Sequence, residues 1–285
     1  MTNNILELKQ VKKAYENFTL GEISLELPRG VVMGLVGANG AGKTTIIKLL
    51  LGLIKPDSGE ISILGGTPSD STLHEKIGVV FDELPVSDIL TAKQLGSIMS
   101  GLYKGWDAEG YSSLPTRLEL PAYKPANESS RGMKKKLSIA MALSHGAELL
   151  LLDEPTGGLD PIVRQEILDL FRDFMQDESH SILISSHITS DLERITDYIS
   201  YIDKGNILLI EEKDVLLERY SIVRGNKELL KEIDQSGFIG LQEESFGFEA
   251  LVKDCGAVTE KYSQLVADRA HLDDIMTFIV REARR

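Results

Sequence analysis

The sequence predicts an α/β fold: a parallel-sheet core, a helical insertion within it, and a small α+β appendage after it. Three observations carry this. Val31–Val36, Leu149–Leu152 and Ile182–Ser185 are short, nearly unbroken apolar runs, as expected of parallel strands covered on both faces. Segments with the apolar spacing of helices alternate with them, at Lys43–Gly52 and at about Pro161–Gln176. After Glu211 the pattern breaks into a charged mixture of short helix and strand signals (DVLLERY, KELLKEI, LDDIMTFIVREARR).

The remaining elements follow in order. The first thirty residues alternate apolar and polar positions (ILELKQV, FTLGEISLEL), which predicts strands of a half-buried sheet ending at the turn Pro28-Arg29-Gly30. Gly59–Leu64 reads as another strand and Ile77–Phe81 as a short buried one. From about Leu84 to Gly146 the spacing is mostly helical, with turn clusters at Leu114–Pro121 and Tyr123–Ser130. The domains expected are therefore 1–215, with a helical subdomain at about 84–146, and 216–285 as a small regulatory or dimerisation domain. The apolar stripe of the last segment is expected to pack on that domain itself.

Composition narrows the partners. Of 285 residues, 42% are hydrophobic and 26% charged, which is ordinary for a globular chain. A formal net charge of −13 argues against a general nucleic-acid binder, which needs a clustered positive surface. It leaves nucleotides open, since these require one lysine, backbone amides and a metal ion. Cys255 is the only cysteine, so no internal disulfide and no multi-cysteine metal site can form, and it reads as a small apolar residue. The start MTNNILELKQ lacks the basic-then-apolar pattern of a secretory signal. No apolar run approaches the roughly 20 residues that span a bilayer.

Two motifs carry chemistry. Gly37-Ala38-Asn39-Gly40-Ala41-Gly42-Lys43-Thr44-Thr45 fits G-x-x-x-x-G-K-[ST] between a buried strand and a helix. Its glycines let the backbone wrap phosphates, and the amides at the helix start point toward an anion. Lys43 is expected to reach the β- and γ-phosphates, Thr44 to ligate Mg²⁺, and Thr45 to add a phosphate hydrogen bond. The second motif is Leu149-Leu150-Leu151-Leu152-Asp153-Glu154-Pro155, an apolar strand ending in two carboxylates. Asp153 is placed to hold Mg²⁺ directly or through water, and Glu154 is the candidate general base for the attacking water.

With these motifs in place, the chain resembles an ATP-binding cassette (ABC) transporter ATPase over roughly residues 4–215. The resemblance implies a P-loop NTPase of the ABC type, with a parallel core, an antiparallel β subdomain and a helical subdomain. Asp153–Pro161 (DEPTGGLDP) joins the carboxylate strand to a segment similar to the family's D-loop, so Asp160 is expected near nucleotide. Ile184-Ser185-Ser186-His187 ends in a histidine resembling the switch that contacts the γ-phosphate. Tyr15, in VKKAY, resembles the aromatic residue that stacks on adenine; a half-buried strand tyrosine is the alternative. The other four histidines have no motif around them.

In this family two cassettes face each other, and each ATP lies between the P-loop of one and a signature loop of the other. The position similar to the signature is Ser129-Ser130-Arg131-Gly132-Met133, where Ser130 and Gly132 are retained. Arg131 replaces a glycine and could add charge toward the triphosphate. The pattern resembles a branch of exporters of Gram-positive bacteria that pair with ABC-2-type membrane subunits and handle peptides, antimicrobials or metabolites. A second departure lies after Ile77–Phe81, where the family places a glutamine touching Mg²⁺ and this chain has Asp82-Glu83. Asp82 is either a metal ligand or part of a solvated acidic turn. Lys134–Lys136 favour an anion facing the helix start, and some of them read as solvated surface.

The resemblance thus implies an ATPase using ATP and Mg²⁺ with a second cassette, identical or different, and with integral membrane subunits. It also implies a cytoplasmic location, peripheral on the inner face of the membrane. The alternative is a soluble ABC ATPase such as one assembling iron–sulfur clusters. A purely sensing module would lack Lys43 or Glu154, and both are present.

Overall fold

In the computed structural model, which describes residues 4–82, 89–121, 124–253 and 255–283, the alternating N-terminal segments form β1 (Asn4–Ala14) and β2 (Thr19–Pro28). The apolar run that follows is β3 (Val32–Val36), all five residues buried, then come α1 (Lys43–Leu50) and β4 (Ser58–Ile63). β1 pairs antiparallel with β2, Leu8 opposite Leu25, and with β4, Leu8 opposite Ile61. In α1, Ile46, Ile47, Leu49 and Leu50 have no exposed surface. They belong to one core with Leu8, Leu25 and Ile63 of the antiparallel sheet and with Met33 and Leu35 of β3. A helix apolar on more than one face is stable only between two layers, which is where α1 lies.

The chain continues through β5 (Ile77–Val80), α2 (Ala92–Leu102), α3 (Ala108–Arg117), α4 (Arg131–Leu143), β6 (Leu149–Asp153), α5 (Pro161–Phe174), β7 (Ser181–Ser186), α6 (Thr189–Ile195), β8 (Tyr198–Asp203) and β9 (Asn206–Glu212). The six strands form one sheet in the order β5-β6-β7-β3-β8-β9. The pairs β5/β6, β6/β7, β7/β3 and β3/β8 are parallel. Their register sets Asp153 opposite Ser185 and Val36 opposite Ser186, so β3, β6 and β7 end level. The loops leaving these strands share one edge of the sheet, where ligands of open α/β sheets bind.

Each helix of the insertion is capped by its own sequence. Thr91 and Gln94 form a capping box on α2, Asp107 accepts from the Gly110 amide on α3, and Ser130 accepts from the Met133 amide on α4. The turn expected at Leu114–Pro121 is a correction: α3 runs through to Arg117. Its cap and the 2.7 Å bond from the Tyr111 hydroxyl to the Ala92 carbonyl hold it on α2 against the turn signals. Residues 84–88 of the expected insertion, and Tyr123, lie outside the described residues.

The chain forms two compact units that meet between Ile210 and Glu211. At the start of the second, α7 (Lys213–Arg219) ties back through Arg219, which donates to Glu211 at 2.8 Å. The second unit continues with β10 (Ser221–Asn226), β11 (Phe238–Glu243), β12 (Gly247–Val252), α8 (Cys255–Lys261), β13 (Val266–Arg269) and α9 (Leu272–Ala283). Its strands form an antiparallel sheet ordered β11-β12-β10-β13 over a core that includes Val223, Phe248, Ala250 and Val252. Cys255 packs partly buried against that core. In α9, Leu272, Ile275, Met276 and Phe278 are buried, and Phe278 lies over Gly240 of β11. KELLKEI supplies only one 3-10 turn, Leu229–Lys231.

Leu183, fully buried at the centre of β7, tests the parallel core. Leu183→Ala should cost about 2–5 kcal/mol, read as a lower urea midpoint for loss of the far-ultraviolet circular dichroism signal.

Candidate functional site

The site starts where β3 runs into α1. A Cβ on Gly37 would stand 2.4 Å from the Ile202 carbonyl oxygen, so only glycine lets the loop leave β3 this close to β8. Gly42 caps α1 at φ 117°, a left-handed conformation open to glycine, and a Cβ there would stand 2.9 Å from Leu20 and 3.1 Å from Phe18. Between them Ala38, Asn39 and Gly40 are exposed and Ala41 is buried, its amide donating to the Ala38 carbonyl at 3.1 Å. Lys43, 5% exposed, donates to the carbonyls of Gly37 at 2.6 Å and Ala38 at 3.3 Å. Thr45 is half-buried in the first turn.

The level strand ends bring three oxygen-bearing side chains together. Thr44 Oγ1 donates to Asp153 Oδ2 at 2.6 Å, and Ser185 Oγ donates to Asp153 Oδ1, also at 2.6 Å. Asp153 is 4% exposed. This fits Mg²⁺ arriving on a triphosphate, which takes one or two protein oxygens and the rest from phosphate and water. Thr44 and Asp153 would supply the protein oxygens.

Glu154 is the next residue, at φ 49°. For a non-glycine residue this is a costly conformation, one concentrated at functional sites. Its amide lies 3.1 Å from both the carbonyl and the hydroxyl oxygen of Ser185. On its carboxylate, Oε2 is 2.7 Å from His187 Nδ1. An ionised carboxylate only accepts, so Nδ1 carries the proton. Oε1 is buried without a hydrogen-bond donor, and Lys43 Nζ stands 3.2 Å away as an ion pair outside hydrogen-bond geometry. One oxygen is therefore fixed, and the other is a free acceptor beside a cation.

Asp82 is used in a way neither reading of it foresaw. Its described hydrogen-bond partners are Arg131 Nη2, 2.7 and 2.6 Å from its two oxygens, and Lys135 Nζ at 2.9 Å. Both oxygens face cations, because α4 brings Arg131 and Lys135 over the end of β5. Partial burial raises the Asp82 pKa, but the hydrogen bonds and charges of Lys135 and Arg131 outweigh it and hold the carboxyl below its ordinary value.

The other expected residues lie around this centre. Tyr15 follows β1 rather than lying in it and is 45% exposed, which removes the strand-tyrosine reading. Its ring centroid lies 6.4 Å from that of Phe18, whose ring occupies the space a Cβ on Gly42 would need. Ser130 caps α4, and Asp160 caps α5 through the amides of Ile162 and Val163. The two helix starts adjoin, since a Cβ on Gly132 would lie 3.1 Å from Leu159. Lys135 and Lys136 are buried, not solvated. Lys136 donates to the Leu118 carbonyl at 3.0 Å. Two participants were missed. Ser185 was signalled by being polar within an apolar run, and Lys135 by sharing a helix face with Ser138 and Ala142.

Residues 20–157 match the family model described as ABC transporter. The ABC transporter ATP-binding protein YtrB of Bacillus subtilis is 35% identical over 221 residues, covering 76% of this chain and 75% of its own. The lantibiotic transport ATP-binding protein SrtF of Streptococcus pyogenes is 37% identical over 219 residues, covering 74% and 92%. The bacitracin transport ATP-binding protein BcrA of Enterococcus faecalis is 34% identical over 216 residues, covering 74% and 70%. Among solved structures, an ATP-binding subunit of an ABC transporter is similar at a TM-score of 0.66 and 27% identity, covering 74% of this chain and 91% of its own. A dimeric bacterial ABC transporter cassette matches at a TM-score of 0.66 and 25% identity, covering 73% and 98%.

A carboxyl whose pKa is depressed by folding stabilises the fold above its unfolded value and loses that contribution as pH falls through the folded one. Asp82→Asn should therefore lower the melting temperature at pH 7. Melts at decreasing pH should show the gap to the parent persisting to the ordinary carboxyl value of 3.8 and closing below it.

Proposed function

The chain belongs to the ABC transporter family, and from that premise we propose that it is the ATP-hydrolysing subunit of an exporter, closing in pairs around two ATP molecules to drive separate membrane subunits. The observation that carries the catalytic assignment is the divided carboxylate of Glu154: Oε2 held by His187, Oε1 buried and without a donor. A base needs a fixed position and an open lone pair, and Oε1 has both. It takes the proton of a water attacking the γ-phosphoryl group, while His187 orients the carboxylate. Lys43 and the amides from Gly37 to Thr45 hold the phosphates. Tyr15 offers its exposed ring to adenine. Mg²⁺, held by Thr44 and Asp153, would neutralise charge on the phosphate oxygens.

Ser130, Arg131, Gly132 and Asp160 belong to the face that meets the nucleotide of a second cassette. The starts of α4 and α5 lie side by side there, as a shared interface requires. No helix among the described residues is long and apolar enough to cross a membrane. As a member of a transporter family, the chain is proposed to work through integral membrane partners, at the cytoplasmic face. Relatives named for lantibiotic and bacitracin transport favour antimicrobial peptides as the cargo class. They also favour a transporter over a soluble cluster-assembly ATPase. The second unit, Glu211–Arg285, is a regulatory or dimerisation domain.

Glu154→Gln should lower ATP hydrolysis by about 10²-fold or more, leave nucleotide affinity nearly unchanged, and give a dimer on size exclusion only with ATP. A parent-like rate of phosphate release would remove Glu154 as the base.

A further inference from the structure

The side chain of Lys135 is 1% exposed. A buried ammonium is retained only where acceptors and a counter-charge surround it. Its three partners come from three segments: Asp82 Oδ1 at 2.9 Å after β5, the Glu154 carbonyl at 2.5 Å at the end of β6, and the Gly157 carbonyl at 3.3 Å in the following turn. The shortest of these holds the main chain of the one residue at the site in a strained left-handed conformation. Ser185 grips the amide of Glu154 from one side, and Lys135 grips its carbonyl from the other.

We propose that Lys135 is a positioning residue for hydrolysis: it fixes the Glu154 backbone in the conformation that aims Oε1, and it does so from the helix that carries Ser130 and Gly132. The inference rests on Glu154 being the base. Asp82 supplies the counter-charge, and it is shared with Arg131 at the first position of α4. A displacement of α4 against the sheet edge pulls on the carbonyl of Glu154. The loop facing the second cassette and the proton acceptor of this one are thereby joined by a single side chain. A lysine that only filled space or balanced Asp82 would have no such link.

The test uses the full chain and compares Lys135→Met, the double variant Lys135→Met/Asp82→Asn, and Glu154→Gln. Lys135→Met keeps the length of the stem and removes the donors, but it leaves Asp82 short of a partner and can destabilise the fold. The double variant removes both charges and keeps the test decisive. Its melting temperature should return toward that of the parent, with the KM for Mg-ATP within about twofold and kcat lowered about tenfold or more, as loss of a supporting contact does. If the double variant recovers both its melting temperature and the parent kcat, Lys135 is only a partner for Asp82 and the proposal is overturned. Glu154→Gln separates the two failures. If that variant is inactive while the double variant keeps the parent kcat, the positioning role fails and the base stands. If Glu154→Gln itself hydrolyses at the parent rate, the base assignment fails first.

Discussion

Everything at this site depends on three parallel strands ending at one level. The β6/β7 register puts Asp153 opposite Ser185, the β7/β3 register puts Val36 opposite Ser186, and the loop after β3 then delivers Thr44 to the free side of Asp153. A slip of one residue in either pairing would turn these side chains to the opposite face of the sheet. A slip would also part the buried Asp153 carboxylate from the hydroxyls of Thr44 and Ser185 and leave it in the interior without those donors. The register of fully buried strands therefore sets the geometry of the polar site.

The same principle governs the buried cations. Lys43, Lys135 and Lys136 are each less than 10% exposed, and each gives its protons mainly to backbone carbonyls. These carbonyls lie in turns or at helix ends, and those of Ala38 and Glu154 also accept from the amides of Ala41 and Gly157. The lysines thus add a second donor that ties each turn to a helix. They also bring positive charge to within a few ångströms of the Glu154 and Asp82 carboxylates, in a chain that is acidic overall.

Much of this was legible in the sequence, and the failures are instructive. The buried strands announced themselves as apolar runs, and the phosphate loop as glycines at fixed spacing, because each follows from local chemistry. The α3 helix was partly misread as a turn, because its cap at Asp107 and the anchor from Tyr111 to Ala92 are tertiary facts. Asp82 was harder still. Its partners Arg131 and Lys135 lie about fifty positions away, and no local pattern joins a carboxylate after one strand to cations on a distant helix. Lys134, Lys135 and Lys136 look alike as letters. Only their angular position on α4 sends two of them inward.

The central claim is that Asp153, braced by Thr44 and Ser185, forms the metal side of an ATP-hydrolysing centre. The most direct measurement is a titration of the full chain with Mn²⁺ in the presence of ATP, followed by electron paramagnetic resonance. The parent should bind Mn²⁺ with the nucleotide, and Asp153→Asn should weaken that binding about tenfold or more while ATP affinity measured in EDTA changes little. Equal Mn²⁺ affinity in the parent and the variant would contradict the account.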